Sequence, residues 1–357
     1  MSRSSRSVAR RTITTPLILI AILAALLGLT LLVGSRPFNQ TMIEIFIRII
    51  LVVGLYIFIG NSGVLSFGHI GFACIGAYMA AWLTMPPMMK KLSFPGLPDA
   101  LLAVQMPYWA GAVLAAVFAA VVAGLFGWVL MRLSGISASI ATFALLAMIN
   151  TIWSNWDSVT AGTNSVVGIP IVRSIWPYFI GAVIAVLIGW LHAISRFGLA
   201  LRAARDEPTA AAASGIDIPA QRWMAFVVSG FVVGGGGALF AHSLGVVTPD
   251  TFYLSLTFTT LSMLVVGGMG SLSGAVSGVV ILSLLIQALR GLERGVEVGS
   301  LKFALPGGLQ EITLGVVMIL ILMLRPGGLF TREFALSFGR GKTGSPAAEP
   351  APTSRPA

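Results

Sequence analysis

An all-α bundle of about ten transmembrane helices is the fold class that the sequence predicts, and three observations carry it. The chain is 57% hydrophobic and 10% charged, with a mean hydropathy of +0.95, whereas about a quarter of a soluble domain is usually charged. Nearly uncharged runs recur along its length, each of about 17 residues or more and able to cross a hydrocarbon core of about 30 Å as a helix. The basic residues gather between those runs, so the net charge of +10 is explained by topology and excludes a nucleic-acid partner.

The spans fall at roughly 16–34, 41–60, 64–85, 107–131, 136–153, 175–194, 223–244, 252–268, 274–290 and 308–324. Before the first lies "MSRSSRSVARR", read with its neighbours as a cytoplasmic tail over 1–15. The apolar stretch from Pro16 to Val33 exceeds the core of a cleaved signal and lacks a small-x-small cleavage site close behind it, so it is read as a retained span. An even number of spans puts both termini on one side. With that side cytoplasmic, fourteen Lys and Arg lie inside and seven outside, namely Arg36, Lys90, Lys91, Arg173, Arg290, Arg294 and Lys302. The membrane domain is taken as 16–330, and the Pro-, Ala- and Ser-rich remainder, 331–357, as a largely disordered cytoplasmic tail. The single cysteine, Cys74, allows no intrachain disulfide.

Two glycine-broken stretches match at an offset of 207: "GNSGVLSFGHIG" from Gly60 and "GGMGSLSGAVSG" from Gly267. Paired interruptions of this kind can mark broken helices around a solute route, because irregular backbone survives at membrane depth only where protein or water satisfies it. Small residues also serve close helix packing, and Gly270, Gly274 and Gly278 form a GxxxG series. Packing is the preferred reading of the second stretch; the first is left between the two.

Residues 195–222 form the one sizeable cytoplasmic loop between spans. Arg205, Asp206 and Glu207 precede Pro208, which suits the first turn of a helix, and acidic side chains there complement the helix dipole. "TAAAAS" favours a helix, Gly215 is placed for a left-handed stop, and Pro219 is read as preventing resumption. The result is a two-turn helix over 208–214, too short to be stable unless it docks on a partner or on its own chain.

At this point the residues resemble a known family. "SRFGLALRAARDEPTAAAASGIDIPAQRWMAFVVSGFVVGGGGALF" (195–240), "GVLSFGHIGFACIGAYMAA" (63–81) and "GLQEITLGVVMILILMLRPGGLF" (308–330) are similar to permeases of branched-chain amino acid ABC importers, LivM type. The resemblance implies a type II ABC-importer-like permease in a bacterial inner membrane. It would work with a homologous second permease, two cytoplasmic ATPase subunits and a periplasmic substrate-binding protein. It also implies that Glu207, Ala211 and Gly215 belong to the loop that docks in an ATPase cleft. Pro208, Thr209 and Trp223 depart from the family's usual pattern.

Other constellations are weaker. Ser66, Gly68 and His69 are candidates for the translocation path, although a lone histidine without an acidic neighbour makes a poor proton relay. Glu44 and Arg48 stand four apart on one helix face, and a structural ion pair is preferred over a solute contact. His242, Asn150 and Gln287 are candidate interhelical hydrogen-bonders. The loop 160–170, after Trp153, Trp156 and Asp157, either meets the binding protein or is an ordinary turn cluster with interfacial tryptophans. No residues have metal-ligand spacing, no catalytic triad can be assembled, and no cofactor is expected in this chain. "LSFGRGKT" (336–343) has Leu336 where a phosphate loop needs glycine, so ATP use is assigned to separate subunits. A urea or short-amide importer is the nearest alternative. An ion-coupled secondary transporter is a further one, weakened by having only Glu44 and Glu311 as carboxylates near bilayer depth.

Overall fold

A computed structural model describes residues 3–293, 296–298, 301–303, 309–325 and 327–330. The helices are α1 (Arg3–Val33), α2 (Arg36–Ser62), α3 (His69–Thr84), α4 (Pro87–Ser93), α5 (Asp99–Ala103), α6 (Tyr108–Leu130), α7 (Gly135–Asn155), α8 (Asp157–Thr160), α9 (Trp176–Ile194), α10 (Arg196–Asp206), α11 (Pro208–Ala213), α12 (Ile218–Leu244), α13 (Leu254–Gly267), α14 (Leu272–Glu293) and α15 (Leu309–Leu324). Among the described residues two short antiparallel pairings accompany them: β1 (Val166–Val167) with β2 (Val246–Val247), far apart in sequence, and β3 (Val296–Val298) with β4 (Leu301–Phe303).

Each of the ten expected spans coincides with a helix, but they are of two kinds. Among the described residues seven helices are long and apolar enough to cross a membrane. The other three, α3, α13 and α15, have 16, 14 and 16 residues, about 21–24 Å at 1.5 Å per residue and short of the hydrocarbon thickness. Helical backbone also begins at Arg3, ahead of the expected start at 16, with Pro16 inside α1. The tail over 331–357 and the 336–343 stretch lie outside the described residues.

The bundle is organised around α2, in which every residue from Ile49 to Ser62 is buried. A helix apolar on all sides requires neighbours on all sides, and α3, α9, α12, α13 and α14 supply them. α1 packs on α2 and α9 through Leu19, Leu23 and Leu27, one stripe at four-residue spacing. By contrast, α6 and α7 bury 28% of their apolar windows and present broad apolar surface outward.

α12 lies against α2, α3 and α6, and small residues make that possible. A Cβ on Gly237 would run into the Ala73 carbonyl oxygen of α3, one on Gly76 into the Gly234 carbonyl, and one on Gly230 would stand 2.5 Å from the Ala123 Cβ of α6. Such proximity lets backbones pack directly where lipid offers no hydrophobic drive for association. Polar side chains add cross-links: Ser229 Oγ donates to Gly54 O at 2.6 Å, and Trp223 Nε1 donates to Gly124 O at 2.8 Å.

The GxxxG series divides. Gly274 and Gly278 bring α14 onto the backbone of α13, while Gly270 precedes the helix and has open space where its Cβ would stand. His242 Nε2 lies 3.1 Å from Thr84 Oγ1, and Gln287 Nε2 donates to Thr41 Oγ1 at 3.0 Å, so both link helices as expected. Asn150 departs from expectation: its Nδ2 is buried without a hydrogen-bond partner among the described residues.

The connections 86–106 and 154–174 form a joined cap rather than free loops. Gly96 N donates to Ser158 O at 2.8 Å, and Trp82 Nε1 to Val159 O at 3.2 Å. Lys90 is fully buried and donates from Nζ to Leu101 O at 2.9 Å and to Val104 O, tying α4 to the end of α5. Burial pulls its ammonium below the usual lysine range.

Gly237→Ala should lower thermal stability by about 1–3 kcal/mol through overpacking, read as a fall in Tm of the detergent-purified protein. Gly270→Ala should leave Tm unchanged.

Candidate functional site

The segment 195–222 is more helical than its sequence suggests. Ser195 caps α10 by accepting from Gly198 N at 3.2 Å. Leu201 and Ala204 are buried, and Arg202 donates to Ala193 O, so α10 is fastened along the bundle end. Glu207 alone separates α10 from α11; it is extended (φ −149°, ψ 94°) and its Oε1 accepts from Thr209 N at 3.4 Å. Gly215 adopts φ +82°, the left-handed stop that its position suggests. Pro219 does not block a helix. It occupies the first turn of α12, capped by Asp217 Oδ1 accepting from Ala220 N at 3.1 Å, because a ring without N–H fits a first turn as well as a break.

α11 packs on α10 and α12. Ala211 is its single buried residue and faces its own chain, while Pro208, Thr209, Ala210, Ala212 and Ala213 are exposed. The outward surface of this short helix is therefore proline and methyl groups beside the carboxylates of Asp206 and Glu207.

Arg205 joins this segment to the membrane core. Its Nη1 donates to Gly60 O at 2.7 Å and its Nε to Asp206 Oδ1 at 3.2 Å. The aliphatic stem lies over Gly63, where a Cβ would come within 2.6 Å of Arg205 Cγ and where φ is +71°. Gly60 in turn abuts the second glycine-broken stretch: a Cβ there would stand 2.6 Å from Met269 O. The two matched stretches thus meet beneath the arginine.

Both stretches have non-helical backbone, and their polar groups are satisfied from neighbouring elements. Ser139 Oγ of α7 donates to Leu65 O at 2.7 Å, and Phe67 N donates to Thr142 Oγ1 at 3.3 Å. In the second, Leu329 N donates to Val266 O and Phe330 N to Gly267 O, each at 2.9 Å, while Ser271 Oγ donates to Phe330 O at 2.6 Å.

Ser66, Gly68 and His69 are buried inside the bundle in this conformation. The His69 ring is packed by Phe226, Phe58 and Phe72 at 4.9, 5.3 and 6.1 Å between centroids. Neither of its nitrogens, nor Ser66 Oγ, has a hydrogen-bond partner among the described residues. Gly68 is pressed on α7, with Thr142 O 2.7 Å from where a Cβ would be.

At the other end of the bundle, Glu44 Oε2 is 3.4 Å from Arg48 Nη2. The expected intrahelical pair is real but incomplete as a description, because Arg290 Nη1 of α14 reaches the same oxygen at 3.1 Å. The side chain of Glu311 lies outside the described residues. The loop 160–170 is fixed through Thr160 Oγ1, which bonds to Trp153 O at 2.6 Å, and through the pairing of β1 with β2.

Residues 37–322 match the family described as branched-chain amino acid transport system, permease component. The chain is 27% identical over 319 residues to the high-affinity branched-chain amino acid transport system permease protein LivM of Escherichia coli (strain K12), covering 79% of this chain and 67% of that protein. It is 26% identical over 335 residues to LivM of Salmonella typhimurium (strain LT2), covering 83% and 71%. A shorter likeness, 38% over 68 residues and 19% and 22% of the two chains, links it to the nucleoside ABC transporter permease protein NupC of Lactococcus lactis subsp. cremoris. No solved structure matches.

Replacing Ser139 by Ala together with Thr142 by Val should strand Leu65 O and Phe67 N–H. The expected destabilisation is about 1–3 kcal/mol per group, seen as a lower Tm and increased protease cleavage near residues 63–68.

Proposed function

Since the chain belongs to the permease family of branched-chain amino acid transport systems, we propose that it forms, with a homologous second permease, the membrane path of an ATP-binding cassette importer. Its cargo is a branched-chain amino acid, handed over by a periplasmic binding protein on the side of the Lys90 cap. The end carrying α10 and α11 faces the cytoplasm, as do both termini, in keeping with the excess of Lys and Arg there.

The observation that carries this reading is the continuity from α11 through Arg205 to Gly60. α11 offers an exposed, methyl-covered knob with acidic neighbours. Two cytoplasmic ATPase subunits supply the motor, and one of them grips that knob. An ATPase can shift the permease only by as much as its docking differs between nucleotide states. Movement of α11 is passed to α10, and Arg205 delivers it to the place where the two broken stretches touch. Displacing that junction alters the packing of α2 and α3 against α13 and α14. The solute's route is then opened or closed by helix packing, with selection left mainly to the binding protein.

A second reading, import of another small polar solute, draws on the NupC-like segment. Uptake of labelled leucine compared with urea and a nucleoside separates the two readings.

Glu207→Arg should reduce ATPase co-purification and leucine uptake together, while membrane insertion persists; normal uptake would count against docking through α11. Arg205→Ala should instead retain the ATPases but lower solute moved per ATP hydrolysed by about tenfold, the scale of an ordinary coupling energy.

A further inference from the structure

A cavity of about 370 Å³ lies between α2, the end of α12, the 3-10 turn Pro249–Phe252, α13 and α14. Four charged side chains are on its wall: Glu44 and Arg48 of α2, Asp250 of the turn and Arg290 of α14. Ionisable side chains on or beside membrane-spanning helices mark functional sites unless mutual pairing accounts for them. Here pairing accounts for part. Glu44 Oε2 receives both guanidinium groups, and Arg48 Nη1 also donates to Ser283 Oγ at 3.3 Å. Glu44 is thus the carboxylate that holds two guanidinium groups of this wall together. The wall's other carboxylate, Asp250, is exposed on another element, with no hydrogen bond or ion pair to its carboxylate among the described residues.

The wall is thus neutral in sum yet separates a guanidinium-rich part from a solitary carboxylate. An uncharged solute gains nothing from that separation, whereas a zwitterion is complementary to it. Guanidinium forks match carboxylates in geometry. Leu51, Phe240 and Ile286 add an apolar portion, and the volume falls within the roughly 300–1,000 Å³ usual for small-molecule sites. A second cavity, of about 600 Å³, shares Glu44 and Leu244 with the first and carries Arg36 and Arg173. Glu44 therefore lines both volumes.

Resting on the reading of the chain as an amino acid permease, we propose that the 370 Å³ cavity is a binding station for a free α-amino acid. The ligand's carboxylate meets Arg48 and Arg290, its ammonium meets Asp250, and its aliphatic side chain lies on Leu51, Phe240 and Ile286. Glu44 is a positioning residue that keeps the two guanidinium groups together. Since Glu44 already occupies donors of both arginines, the ligand is held loosely enough to leave, as a path requires.

The test uses the complete complex purified without its binding protein and probed with leucine by saturation-transfer NMR, which detects weak binding. Leucine should give a signal that leucinamide and 4-methylpentanoate displace at least about tenfold less well than unlabelled leucine, because each lacks one charge. Asp250→Asn, at an exposed position, should weaken leucine binding about tenfold and narrow the discrimination against 4-methylpentanoate. Arg48→Gln should do the same for leucinamide, with Arg48→Lys retaining part of the affinity. No leucine signal from the wild-type complex, or unchanged affinity in both Asp250→Asn and Arg48→Gln while leucine uptake with the binding protein persists, overturns the station but leaves the transport reading standing. A wild-type complex that takes up urea or a nucleoside but no leucine overturns the transport reading and the station with it.

Discussion

Backbone amides and carbonyls inside a bilayer have no water to turn to, so non-helical chain survives there only where other protein groups bond to it. The architecture around 63–68 and 266–271 follows from that constraint. α7 supplies Ser139 and Thr142 to the first stretch, the chain beyond α15 lies along the second as a strand-like partner, and Arg205 reaches Gly60 from the loop between α9 and α12. Remove any of these donors or acceptors and the neighbouring backbone loses its substitute for water. Elements far apart in sequence are in this way obliged to stay together, and the junction becomes sensitive to what happens in the 195–222 segment.

Close packing by small residues is the second organising influence. With glycine at 76, 230, 234 and 237, α12 comes near enough to α3 and α6 for backbone to touch backbone. Interiors packed to this degree switch between discrete arrangements rather than deforming smoothly. The surfaces of α6 and α7 remain apolar and outward, consistent with contact with lipid or another membrane protein.

Much of this was legible in advance. The positions of ten apolar helices follow from hydropathy, and the glycine-broken stretches, a short helix over 208–214 (observed as Pro208–Ala213) and the stop at Gly215 follow from local chemistry. What sequence could not supply was pairing between distant elements. Arg290 joins Glu44 because α14 lies beside α2, and nothing in the periodicity of either helix specifies their mutual rotation. Sequence places Arg205 in the cytoplasmic loop beside Asp206 and Glu207, but its reach to Gly60 depends on the room that Gly63 leaves for its stem. α10 carries little sequence signal because its apolar positions, Leu201 and Ala204, are few, and their burial depends on the bundle end they cover. Pro219 is ambiguous for a local reason, since the same ring that halts one helix can begin the next. Ala211, placed by resemblance in an outward-docking motif, turns toward its own chain, a distinction that hangs on one helical turn.

The joint between α10 and α11 has a mechanical meaning. A single residue out of helical register offers two soft torsions, and the contact of the Glu207 carboxylate with Thr209 N is long and exposed. Such a wrist lets α11 change its angle to α10 without unwinding either helix. Because α10 is fastened to the bundle end through Leu201, Ala204 and Arg202, the pivot between the two helices sits at that one residue.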